Sequence, residues 1–249
     1  MDEPYDIKEN LSRNGFAIIG NIFTDEGIDK LHLSISQLDT SRPTFRKSND
    51  LFAIRQFFKE VPEVVEIVFS DKLNDLITRI FGEEYFVVKS IYFDKPENSN
   101  WFVSYHQDLT ISVDRKLETD GYGPWTAKHN QFSVQPPLEV LQDNFTIRIH
   151  LDDTTHENGA LRVIPGSHLK GICRPETIDW EVEKETVCSV PKGSVMIMKP
   201  LLLHSSSRTT NSNKRRVIHI EFSRQKLPFD LHWAELLMTK AVRYKHMVS

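Results

Sequence analysis

The chain changes texture at Tyr85, and that change constrains its fold more than any other feature. Up to Phe81 most apolar residues recur at helical spacing, whereas beyond Tyr85 they gather into short runs divided by turn residues. Thr24-Asp25-Glu26 is a helix-start signal ahead of Ile28, Leu31, Leu33 and Ile35. A second helical block is expected from Pro62 to Phe81, broken at Ser70-Asp71 and stopped by Gly82. Phe16-Ala17-Ile18-Ile19 is a short apolar run with strand character.

Beyond that point the expected strands are Tyr85–Phe93, Phe102–His106, Phe145–Leu151, Leu161–Ile164, Thr186–Ser189, Val195–Met198, Leu201–His204 and Arg216–Phe222, with turns at Asp94-Lys95-Pro96, Glu157-Asn158-Gly159, Pro165-Gly166-Ser167, Pro191-Lys192-Gly193 and Asn211-Ser212-Asn213. Many short strands behind a helical block predict a mainly β domain with flanking helices, a barrel or jelly roll. At 249 residues the chain fits a single domain, with mostly helical support over 1–84, the β core over 85–223 and a helical tail over 224–249. The polar, aromatic stretch from Thr110 to Pro137 is long enough for a lid; its Trp125, Tyr122, Phe132 and His129 are candidates for lining a substrate pocket.

A net charge of −4 gives no basic field, so neither a nucleic acid nor an anionic membrane is expected as partner, and the oligomeric state stays open. Lys214-Arg215-Arg216 is too short a basic cluster for such a surface and better suits a buried anion. Two cysteines, Cys173 and Cys188, exclude a disulfide framework, and the acidic start Met1-Asp2-Glu3-Pro4 lacks signal-peptide order, so a cytoplasmic location is expected.

Tyr105-His106-Gln107-Asp108 puts an imidazole and a carboxylate two residues apart, so that at a strand end both face one side. With His204, at the end of Leu201-Leu202-Leu203, they make two histidines and one carboxylate, the ligand set of oxygen-activating iron(II). Such a set leaves coordination sites for a 2-oxo acid and dioxygen. Spacing alone gives His150-Leu151-Asp152 equal standing. Arg215 follows His204 by eleven residues across a turn, where a guanidinium can take the distal carboxylate of 2-oxoglutarate in a fork; Arg216 faces the other side and is the alternative. Ser206 is either a further donor to that carboxylate or a turn-stabilising serine.

The order Trp101…Tyr105-His106-Gln107-Asp108, then His150-Leu151-Asp152-Asp153…Glu157-Asn158-Gly159-Ala160-Leu161-Arg162-Val163-Ile164-Pro165-Gly166-Ser167-His168, then His204…Arg215, resembles the phytanoyl-CoA dioxygenase family from roughly Ala17 to Phe222. The resemblance implies an iron(II)- and 2-oxoglutarate-dependent hydroxylase, with a small-molecule substrate, on a double-stranded β-helix, a cupin-like jelly roll. It implies His106, Asp108 and His204 as iron ligands, Arg215 as the 2-oxoglutarate arginine and Ser206 as a polar cofactor contact, and it assigns His150-Leu151-Asp152 to a strand that holds no iron. Halogenases similar to this family replace the carboxylate by a small residue, so Asp108 implies hydroxylation.

Where the family often has an aromatic residue beside the cofactor, this sequence has Arg148, on the polar strand face of Thr146, His150 and Asp152. It is read either as a second anion clamp at the cofactor or substrate, or as a structural ion pair with Asp152 or Glu221. Gly159 and Gly166 suit turns with positive φ. Arg55, Lys89 and Tyr92 are further candidate contacts for cofactor or substrate.

Overall fold

The computed structural model describes residues 4–38, 44–49, 52–128 and 131–238. A helical layer is built from α1 (Pro4–Asn14), α2 (Asp25–Ser36), α3 (Phe57–Glu60), α4 (Val64–Val68) and α5 (Asp71–Phe81), with β1 (Phe16–Ile19), β2 (Phe45–Lys47) and β3 (Phe52–Arg55) between them. The Thr24 hydroxyl caps α2 by accepting from the Gly27 amide at 3.2 Å, satisfying one of the free donors of the first turn. Leu73, Ile77 and Ile80 form the buried stripe of α5, which ends at Gly82 with φ 90°.

The β core follows as β4 (Phe86–Lys95), β5 (Val103–His106), β6 (Ile111–Val113), β7 (Trp125–Lys128), β8 (Gln131–Val134), α6 (Leu138–Asp143), β9 (Phe145–His150), β10 (Leu161–Val163), β11 (Thr186–Cys188), β12 (Val195–Met198), β13 (His204–Ser206), β14 (Arg215–Ser223) and β15 (Leu237–Met238). The large sheet has the order β1-β12-β9-β14-β4-β3-β2, with β15 on β4, and the small sheet the order β11-β10-β13-β5. Along the chain β4, β9, β12 and β14 belong to the large sheet and β5, β10, β11 and β13 to the small one, so the strands wind between two facing antiparallel sheets. This is the double-stranded β-helix.

Alternation along the strands decides what each face carries. Ile147 and Ile149 of β9, Val195 and Ile197 of β12, and Ile218, Ile220 and Phe222 of β14 join one buried cluster with the helical layer. Phe81, Phe145 and Phe222 stack in series there, at centroid distances of 3.5 and 4.7 Å. Full burial of each such side chain contributes about 1.5–3 kcal/mol. The same phase turns Arg148, Arg215, His219 and Glu221 inward, between the sheets.

Three expectations are corrected. The Thr110–Pro137 stretch is no bare loop, because β6, β8 and β7 pair there as a third sheet. The strand expected over Leu201–His204 begins only at His204, since a short all-apolar run carries no phase to place a strand boundary. The tail shows no helix over 224–238: Leu231, Trp233 and Glu235 are buried at a period of two, Asp114 and Ser112 of the β6 region exchange backbone bonds with His232 and Ala234, and β15 joins β4. Residues 239–249 lie outside the described residues. No helix of the described residues is long and apolar enough to cross a membrane.

Candidate metal centre

Antiparallel pairing of β5 and β13 sets His106 opposite His204, with ring centroids 4.2 Å apart, and Val163 of β10 flanks His204 on the other side. Asp108 follows β5 directly, its amide bonded to the Pro200 carbonyl at 2.9 Å. Between the two, Gln107 turns the opposite way, donating to the Leu201 and Gly171 carbonyls and accepting from the Cys173 amide. Gln107 thereby ties the segment bearing Asp108 to the one leading into His204.

Ligating atoms of His106, Asp108 and His204 all lie within 4.8 Å of one another, the one such group of three among the described residues. The Nδ1 of His106 meets the Ser104 carbonyl at 2.8 Å and that of His204 the Leu202 carbonyl at 2.8 Å. A carbonyl accepts only, so each Nδ1 carries the proton and each Nε2 keeps a bare lone pair. Those Nε2 atoms stand 3.8 and 3.9 Å from the Asp108 oxygens, whose Oδ2 is buried with no hydrogen-bond partner. Burial pushes the His204 pKa down to about 4, which keeps the imidazole neutral. Burial alone would raise the Asp108 pKa, but the groups around it outweigh burial and hold the carboxyl ionised; with His204 neutral, the Lys89 ammonium is the charge that does this at neutral pH. Two bare nitrogens and a partnerless carboxylate oxygen, each oriented by the backbone behind it, fit a divalent metal.

The rival pair is taken apart. Asp152 accepts from Arg216 Nε and Nη2 at 2.8 and 2.6 Å on the helix side, while His150 bonds Thr154 Oγ1 at 2.7 Å, and its burial, then the charges of Arg148 and Arg215, hold its pKa well below the usual imidazole range. With Asp152 held in the Arg216 fork, no carboxylate converges with His150 on a common metal position among the described residues.

The three candidate ligands open on a cavity of about 180 Å³, lined also by Lys89, Arg148, Ser206, Arg215, His219 and Glu221. Arg215 is 3% exposed; its Nη1 donates to the Gly159 carbonyl at 2.6 Å and its Nε is buried with no partner. Burial and then Arg148 push its pKa down to about 9, and burial takes Arg148 down to about 10. Both remain charged at neutral pH, and neither forms an ion pair with a carboxylate among the described residues. Arg148 can only donate, so its contact with His219 Nδ1 at 3.1 Å makes that nitrogen an acceptor and sends the Nε2 proton to Glu221, 3.1 Å away. Lys89 donates to the same Glu221 oxygen at 2.7 Å. The structural ion pair considered for Arg148 is therefore absent: Arg216 takes Asp152, and Lys89 with His219 takes Glu221.

Ser206 borders the cavity, but its hydroxyl donates to the Gly159 carbonyl at 3.0 Å, which is the structural alternative considered for it. Tyr92 is corrected: it is 2% exposed on the helix face of β4, stacked on Phe57 at 5.6 Å, because the alternation that turns Lys89 inward turns Tyr92 outward. Trp125 is corrected as well, packing on the cluster of Val113, Val134 and Trp233 and lining neither this cavity nor the adjoining one. Phe132 does line the adjoining cavity, and Tyr122 packs against the same cluster as Trp125; His129 lies outside the described residues. His219 was missed, although the alternation Arg215, Val217, His219, Glu221 places it on the strand face that carries Arg215 and Glu221.

Gly159 adopts φ +82°, as expected for its turn, and a Cβ there would lie 2.6 Å from both Ser207 O and Lys95 Nζ. Gly159→Ala is expected to cost about 2 kcal/mol or more, read as a lowered urea midpoint. An unchanged midpoint contradicts the rigidity ascribed to this turn.

Residues 11–217 match the family model described as phytanoyl-CoA dioxygenase (PhyH). A phytanoyl-CoA dioxygenase domain-containing protein 1 homolog of Caenorhabditis elegans is 22% identical, over 93% of this chain and 93% of its own. An L-proline trans-4-hydroxylase of Streptomyces griseoviridis is 24% identical, over 88% of this chain and 86% of its own. Among solved structures, EctD from S. alaskensis with 2-oxoglutarate and 5-hydroxyectoine superimposes with a TM-score of 0.65 at 19% identity, covering 89% of this chain and 77% of that one. The 2-oxoglutarate-dependent carbocyclase SnoK gives a TM-score of 0.67 at 15% identity, over 89% and 84%. Both likenesses bear on the fold alone, and it is the family match over most of the length, a span that includes His106, Asp108, His204 and Arg215, that settles membership: the chain belongs to the phytanoyl-CoA dioxygenase family of 2-oxoglutarate-dependent non-haem iron oxygenases.

Proposed function

We propose that this protein is an iron(II)- and 2-oxoglutarate-dependent dioxygenase that hydroxylates a small molecule, releasing succinate and carbon dioxide. The observation that carries this reading is one cavity containing both a bare two-histidine, one-carboxylate cluster and two buried guanidiniums that lack a carboxylate. His106, Asp108 and His204 would hold the iron, Arg215 the distal carboxylate of 2-oxoglutarate, and Arg148 a second anionic contact of the same cosubstrate, with Ser206 beside it. Bound iron and 2-oxoglutarate supply the oxidising power, coupling oxidative decarboxylation to transfer of one oxygen atom of dioxygen into a substrate C–H bond.

The chain's own part is positioning. The Ser104 and Leu202 carbonyls fix both imidazole tautomers, and the Gly159 carbonyl fixes one end of Arg215 while leaving Nε available. His219, locked between Arg148 and Glu221, aims Arg148 into the cavity. Phe93 and Trp101, stacked at 6.5 Å, form an apolar wall that limits water. Hydroxylation is favoured by the intact Asp108 carboxylate, and the proline hydroxylase relative supports it.

Incubating the protein with iron(II), 2-oxoglutarate, dioxygen and small-molecule pools is expected to give succinate in equal amount to hydroxylated product. Divalent metal binding without any 2-oxoglutarate binding would contradict the proposal and point to a metal-dependent hydrolase or isomerase.

A further inference from the structure

We propose that the substrate is a small hydrophilic molecule carrying one anionic group, a carboxylate or a phosphate monoester, and that Arg55 is the residue that holds this group. The proposal rests on the dioxygenase reading and adds a substrate class to it.

A second cavity, of about 420 Å³, lies against the metal cavity and shares Lys89 and Ile91 with it. Register places Arg55 in relation to the metal centre: it pairs with Ile91, Ile91 with His219, and His219 with Arg148. These four residues form one row across the large sheet, and three strand steps separate the backbone of Arg55 from that of Arg148 by roughly 14 Å. A substrate lodged between the metal centre and the Arg55 guanidinium is therefore compact.

The other charged side chains of this cavity have protein partners. Lys89 is paired with Glu221 at 2.7 Å, and Lys59 donates to the Ala234 carbonyl at 2.6 Å. Glu235 accepts from the Ser90 amide and hydroxyl at 2.8 and 2.6 Å, and Asp114 pairs with Arg115 at 2.8 Å. Arg55 has no hydrogen bond or ion pair from its guanidinium among the described residues, and the neighbouring charge it feels is that of Arg46, which is repulsive. A half-buried cation beside another cation gains from an anion, and its planar fork matches carboxylate and phosphate alike.

The backbone next to it supports a binding role. Gln56 sits at φ 52°, a left-handed conformation that costs a non-glycine residue energy and recurs at binding sites, and Gln56 lines the same cavity. Ser112, Gln131 and Ser133 add hydroxyl and amide groups along the wall, in place of the apolar lining that a long acyl chain requires.

The test uses the full-length protein with iron(II) and 2-oxoglutarate and reads succinate release over matched probes: amino and hydroxy acids against their amides, and sugar phosphates against the free sugars. Stimulation is expected from anionic members only, and whichever arm responds identifies the anion. With a responding acid, Arg55→Gln is expected to raise KM about tenfold or more with kcat nearly unchanged, and Arg55→Lys to recover part of the loss. Retained 2-oxoglutarate affinity in the variant shows that it has folded. Stimulation by the neutral members, silence of every anionic probe, or an unchanged KM in Arg55→Gln overturns the proposal. If no iron and 2-oxoglutarate complex forms at all, it is the dioxygenase reading that has failed.

Discussion

Arg215→Ala is expected to weaken 2-oxoglutarate binding about 100-fold or more while iron(II) still binds, because truncating one partner of a buried, charge-assisted pair costs about 3 kcal/mol. In the present structure the guanidinium is tied down at one nitrogen, by the Gly159 carbonyl, and its Nε is buried without a partner. Arg148 repels it from within the same cavity. A carboxylate relieves both strains at once, satisfying the buried donor and neutralising the excess positive charge. Arg215→Lys is expected to restore little, since an ammonium is a point charge and offers no fork. Arg216→Ala is the control: it loses a partly exposed pair with Asp152, costs about 1 kcal/mol of stability, and leaves 2-oxoglutarate binding unchanged. Calorimetric titration of 2-oxoglutarate into each iron-loaded variant checks this, and a loss confined to Arg216→Ala would reassign the clamp.

His204→Ala is expected to abolish iron binding at micromolar concentrations, and His106→Ala to do the same. Three protein ligands are the minimum from which this site is built, and each imidazole is oriented by a backbone carbonyl that no neighbouring side chain replaces. His150→Ala is expected to keep its iron, because His150 bonds Thr154 and stands among cations on the opposite sheet. Anaerobic equilibrium dialysis with iron(II) measures all three, with circular dichroism to verify folding. Iron retained by both His106→Ala and His204→Ala would remove the ligand assignment.

Much of this arrangement was legible in the sequence, and what was not has a physical reason. The turn from helical to alternating periodicity at Tyr85 located the β core, and the alternation in β9 separated Arg148 from Ile147 and Ile149. The inward face of β14 was readable too, although His219 went unremarked in it. Spacing could not choose between two His-x-Asp pairs, because that choice depends on which sheet carries each pair and on which histidine lies across from it. Tyr92 was misplaced for a similar reason: strand alternation gives two sets of residues, and only the layer packed against one of them decides which set is inside. The third sheet was hidden because its strands are three or four residues long, below the length at which a period of two stands out.

The most direct measurement is visible absorption of the anaerobic protein as iron(II) and then 2-oxoglutarate are added. The weak charge-transfer band of a chelated 2-oxo acid is expected in the wild-type chain and in His150→Ala, and is expected to be missing from His106→Ala and His204→Ala. A band that survives His106→Ala and disappears in His150→Ala would contradict the account at its centre.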